Sequence, residues 1–120
     1  MLKIVSLFCL ISVNAFASQQ CIVAAEKINQ EYIANIEKIN RQKNYDIDAA
    51  NMAFKSKVNG ISFNYERNHT PSDIYNKNVE QEKIHHQNNL MIIIDKHKNS
   101  INLLNDGLKN DLKKIQNGDC

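Results

Sequence analysis

The chain has 120 residues, a single-domain length, with 15 Lys and Arg against 13 Asp and Glu. So even a balance, with no run of about five or more like charges, excludes the electrostatic footprint of a nucleic-acid or acidic-membrane binder. Only three Gly and one Pro occur among many Lys, Glu, Gln, Ile and Leu, a composition that reads as long helix.

The first element is a leader. Met1, Leu2 and Lys3 form a short positive start, residues 4–13 are almost wholly apolar, and Ala15-Phe16-Ala17 is a small-x-small cleavage pattern. The apolar run is shorter than the roughly 20 residues a bilayer span requires. Ser18-Gln19-Gln20 before Cys21 lacks the small residues of a lipid-attachment site. Residues 1–17 are therefore expected to be a signal peptide cut near Ala17, leaving 18–120 as one periplasmic or secreted domain with no membrane insertion. Loss of Lys3 leaves 14 basic against 13 acidic residues, a net charge near +1. Cys9 falls in the leader, so the exported chain keeps Cys21 and Cys120 at its two ends. An oxidising compartment predicts that they form one disulfide.

The next element is a helix over about 19–58. Glu26-Lys27-Ile28-Asn29 returns as Glu37-Lys38-Ile39-Asn40, and the stripe Ala25, Ile28, Tyr32, Ile36, Ile39, Lys43, Ile47, Ala50, Phe54, Val58 advances in steps of 3, 4 and 4. That is an 11-residue repeat, about 3.67 residues per turn, which pairs helices nearly straight or with a slight right-handed twist. Only Lys43 is off-pattern. Asn59-Gly60 is read as the stop, Gly being the residue that tolerates a left-handed cap.

Residues 59–70 are read as a connection. Ile61, Phe63 and Tyr65 alternate with Ser62 and Asn64, which predicts an extended stretch with one apolar side. It is expected to fold back on Ile74, Tyr75 and Val79, or else to offer Phe63 and Tyr65 to a partner.

A second helix is expected over about 71–117, with Thr70 as N-cap, Pro71 at the first position and Asp73 completing the cap. Its stripe is Tyr75, Val79, Glu82, His86, Leu90, Ile93, His97, Ile101, Leu104, Leu108, Leu112, Ile115, with the same period. Gly107 is expected to kink or fray it, at about 1 kcal/mol.

The fold class follows: all-α, a long antiparallel two-helix hairpin resembling a hendecad coiled coil and stapled by a terminal disulfide. Antiparallel docking pairs Ala25 with Ile115, Ile28 with Leu112, Tyr32 with Leu108, Ile36 with Leu104, Ile39 with Ile101, Ile47 with Ile93 and Ala50 with Leu90. Lys43 then faces His97 in one shared polar layer, and Cys21 falls one residue short of Cys120. Hydrophobic phase and cysteine position agree on one register.

One seam is little core for a chain of this size. Leu90 to Ile94 is apolar all round the helix, yet only Leu90 and Ile93 belong to the seam. Met91, Ile92 and Ile94 are therefore expected to form a contact face, either for a second copy, giving a four-helix bundle, or for another envelope protein.

No catalytic order, phosphate-binding loop or metal-ligand set is readable, so the sequence predicts neither enzyme nor cofactor. His86 and His97 share a stripe but lie about 16 Å apart. Asn68-His69-Thr70 matches a glycosylation pattern, whereas the short leader with one Lys fits a bacterial protein. The expected function is protein contact in the bacterial envelope, as an accessory of a secretion, conjugation or phage-lysis system. The alternative is a small periplasmic binding or sequestering protein, with Lys43, Glu82, His86 and His97 as an internal site for a ligand or metal.

Overall fold

The computed structural model describes residues 18–120; the leader, Cys9 and the cleavage site after Ala17 lie outside the described residues. Two helices account for nearly all of the described chain: α1, Gln19–Asn68, of 50 residues, and α2, Ser72–Gln116, of 45. They form an antiparallel helical hairpin closed by a disulfide between Cys21 and Cys120, 99 residues apart, with Cα atoms 5.2 Å from one another.

The seam is the one the 11-residue period predicts. Every stripe position from Ala25 to Val58 in α1, and from Tyr75 to Ile115 in α2, is buried or half-buried, while the residues between are mostly exposed. Two compact units divide the chain, residues up to 37 with 101–120, and residues 38–100.

In the disulfide-bearing unit, Cys21, Ala25 and Ile115 form a buried cluster with Ala24 and Ile28 packed on it. Local chemistry sets both of its chain ends. The Cys21 amide donates to the Ser18 carbonyl at 2.9 Å and to the Ser18 hydroxyl at 3.3 Å, so Ser18 is the N-cap of α1. Gly118, with φ of 88°, ends α2 in a left-handed cap. The Gly118 amide donates to the Ile115 carbonyl and the Asp119 amide to the Lys114 carbonyl, both at 3.0 Å, the two bonds of a Schellman motif. This cap turns the last residues out of the helix, and the chain then closes through Cys120. Tyr32 donates its hydroxyl hydrogen to the Asn105 side-chain carbonyl in the same unit. Helix α2 runs through Gly107 without a break.

In the unit of residues 38–100 the main correction appears. Asn59-Gly60 does not end α1, and residues 61–65 are helix, not an extended connection. The reason is periodic: Ile61 and Tyr65 take the next two steps of the stripe after Val58, and continuing the helix keeps them near the seam. Ile61 is half-buried, and the Tyr65 ring lies 4.6 Å from that of Tyr75. Ser62 shares a hydrogen bond with the Tyr75 hydroxyl at 3.3 Å. Gly60 sits on the exposed side, where it weakens the helix without interrupting it.

The true stop is three residues long, His69-Thr70-Pro71. The Pro71 ring disfavours helical geometry at Thr70, and His69 adopts the left-handed conformation with φ of 50°. The Tyr75 amide donates to the Pro71 carbonyl at 3.1 Å, so the cap falls on Pro71, one residue later than the Thr70 cap read from sequence.

Candidate functional site

The polar layer of the seam is built differently from the Lys43–His97 pairing expected. His97 is the most deeply buried polar residue described, 4% exposed, and its Nε2 meets Oδ2 of Asp46 at 2.9 Å. Asp46 stands three residues beyond Lys43, nearly one turn along α1, so its short carboxylate reaches an imidazole at this level. Gln42, one turn before Asp46, donates from Nε2 to Oδ1 at 2.8 Å. The carboxylate thus accepts on both oxygens. An ionised carboxylate can only accept, so Nε2 of His97 carries the hydrogen. The hydrogen bond from His97, then that from Gln42, holds the Asp46 carboxyl below its ordinary value of 3.8, against a smaller opposing effect of desolvation; Lys96 adds to the lowering. Lys43 is half-buried on the same side of α1.

The other polar stripe positions lie at separate levels. The His86 ring stacks on Phe54 with centroids 4.5 Å apart and planes 8° from parallel. Glu82 meets Nζ of Lys57 at 3.5 Å, partly in solvent, where such a pair contributes little. Lys43, Glu82, His86 and His97 therefore do not converge on one internal site. Among the described residues no group of three or more His, Cys, Asp or Glu side chains is placed to hold a metal ion. The larger groove, about 160 Å³, is lined by residues including Ile28, Tyr32, Leu104 and Leu108. A second, of about 60 Å³, lies beside Phe54 and His86. Both fall short of the roughly 300 to 1,000 Å³ of a small-molecule pocket.

The contact candidates are exposed. Met91, Ile92 and Ile94 are 62%, 66% and 49% accessible, and Phe63 is 57%. Helix geometry nevertheless separates the first three. Successive residues turn by about 100°, so Ile92 and Ile94 point to nearly opposite flanks of α2, while Met91 and Ile94 share one. The single face expected from these three residues is corrected to two flanks. Phe63 and Tyr65 do not sit on a loop tip but on the last turns of α1. The Arg67 guanidinium lies 5.6 Å from the centre of the Phe63 ring, a cation–π contact at helical spacing. Tyr65 is only partly exposed because it packs on Tyr75.

Sequence reading missed Asp46 and Ser18. Asp46 lies just off the stripe, and its signal was the i,i+4 pair with Gln42 beside a seam histidine. Among the described residues, no helix is long and apolar enough to cross a membrane. No family model matches the chain, and no curated protein or solved structure matches it.

Proposed function

We propose that this is an exported, non-enzymatic helical-hairpin protein that works by protein contact in the bacterial envelope, as an accessory of a secretion, conjugation or phage-lysis assembly. The observation that carries this reading is the distribution of apolar side chains. Among the described residues no large side chain is fully buried, while thirteen large apolar ones, among them Ile33, Tyr45, Met52, Phe63, Ile84, Met91, Ile92 and Leu103, stand in solvent. A two-helix chain with so much apolar surface outside its seam is suited to binding other surfaces. The disulfide supports the export part of the reading, since such bonds persist in oxidising compartments. The leader pattern supports it independently.

The test is a photo-reactive residue introduced at Ile92 or Phe63 in the native host, followed by irradiation and mass spectrometry. Reproducible capture of one envelope protein, or of the chain itself, is the expected result. Recovery of the chain in the cytoplasm with both thiols free would defeat the reading.

A further inference from the structure

Helix α1 carries a second stripe on the side away from the seam, wholly within the unit of residues 38–100. Tyr45, Ala49, Met52, Ser56, Gly60 and Phe63 follow one another in steps of 4, 3, 4, 4 and 3. This is the 11-residue period of the seam itself, displaced by about half a turn. All six are exposed, and the three large ones strongly so: Tyr45 at 70%, Met52 at 73% and Phe63 at 57%. None is charged, and the run is bounded by Arg41 and Arg67, the neighbouring positions of the same stripe.

Gly60 adds an independent observation. A glycine inside a helix costs about 1 kcal/mol relative to alanine. Nothing lies within 4 Å of where a Cβ would sit. Packing inside the hairpin therefore does not require glycine at this position. Close approach of another chain would.

We propose that this outer stripe is the contact surface for a second copy of the chain, packed antiparallel about a two-fold axis at Ser56. Three features select a second copy over a foreign helix. A stripe of 11-residue period, followed over about 27 Å, stays closely in phase with a helix of the same period, and α1 of a second copy is such a helix. The stripe itself is uncharged, and of the two lysines that flank the axis residue, Lys55 and Lys57, the second is held by Glu82 of α2 at 3.5 Å. It is also self-complementary in size: pairing about Ser56 sets Met52 over Gly60 and Phe63 over Ala49, large on small, with Tyr45 against Arg67, an aromatic ring against a cation. The layer rule is that of the intramolecular seam, in which central positions meet central positions, as Phe54 meets His86. The proposal rests on the reading that the protein works by contact, and it names the surface and the partner.

Sedimentation of the oxidised chain tests it. The wild type should form a concentration-dependent dimer. Met52→Glu with Phe63→Glu should weaken association by about tenfold or more with helicity unchanged. With dissolved oxygen as the oxidant, Ser56→Cys places a thiol on the axis and should give a disulfide-linked dimer about tenfold faster than Asn88→Cys on the outside of α2, since proximity sets the rate. A wild type that stays monomeric at several hundred micromolar overturns the inference. So does a dimer indifferent to the Glu variants, or equal rates for the two cysteine variants. If Ile92 still cross-links a different envelope protein in any of those cases, the contact reading stands and only this surface is wrong.

Discussion

His97 and Asp46, 51 residues apart in sequence, meet at 2.9 Å where the imidazole is almost wholly buried and the carboxylate keeps one edge toward solvent. The asymmetry decides what each contributes. Removing Asp46 strands a buried ring nitrogen, whereas replacing His97 by an apolar side chain leaves a carboxylate that can turn to water. Asp46→Ala is therefore expected to lower the melting temperature clearly, while His97→Leu should be neutral or stabilising. Thermal unfolding followed by circular dichroism separates the two, and equal losses would mean that the layer is not asymmetric in this way.

The same pair sets a pH dependence. The Asp46 carboxyl titrates below its ordinary 3.8 in the folded chain, so its stabilising effect is complete above that value and is lost as pH falls through the folded one. The difference in melting temperature between wild type and Asp46→Asn should thus persist while the carboxylate is ionised and shrink as pH falls below 3.8, as protonation disables the wild-type carboxylate. A difference that vanishes already at pH 6 would assign the effect to another group.

How far the sequence carried this structure depends on which signal is asked. The 11-residue phase located the seam from Ala25 to Val58 and from Tyr75 to Ile115, because burial on one side of a helix leaves a period that 50 residues record many times over. It also fixed the antiparallel register closely enough to bring Cys21 to Cys120. Local punctuation was less reliable. Asn59-Gly60 resembled a stop, and the alternation of residues 61–65 resembled a strand, yet Ile61 and Tyr65 lay on the stripe, and burial along the seam outweighed the weak propensity of one glycine. The side chain that His97 would choose was not legible. Lys43 and Asp46 both lie within reach of its level, and the seam pattern identifies apolar layers without specifying which neighbouring polar side chain completes a hydrogen bond.

The two chain ends give a third prediction. The Schellman cap at Gly118 requires a positive φ, which a side chain resists, and it precedes the cross-linked Cys120 by two residues. Gly118→Ala should cost about 1 kcal/mol or more in the oxidised chain. Reduction should cost up to about 4.7 kcal/mol by the chain-entropy estimate for a loop near 100 residues. Urea titration with and without reductant measures both, and intact mass should rise by two hydrogens on reduction without a change from dimer to monomer. A bridge between two chains would instead release half the mass.

Burial within the cross-linked unit gives a fourth. Ile115 lies in the cluster with Cys21 and Ala25, whereas Ile92 stands 66% exposed on the outside of the same helix. Ile115→Ala removes packed methylenes and should cost about 2 to 5 kcal/mol, toward the lower end because a thin seam can collapse around the gap. Ile92→Ala should fall within about 0.5 kcal/mol of wild type in dilute solution. If Ile92→Ala proved as costly as Ile115→Ala even at dilution, α2 would have to be rotated from the arrangement described.

Gly60 provides the sharpest test of where α1 ends. In the structure it is a helical residue on the outer side, with open space around its missing Cβ. Gly60→Ala should therefore stabilise the hairpin by about 0.4 to 1 kcal/mol, because alanine narrows the unfolded ensemble and favours helix without meeting any atom. Were Gly60 instead a left-handed cap, as Asn59-Gly60 suggests when read locally, the same change would strain the backbone and destabilise by a comparable or larger amount. Opposite signs make the measurement decisive. It belongs at micromolar dilution, where association through the outer stripe of α1 contributes least to the unfolding midpoint.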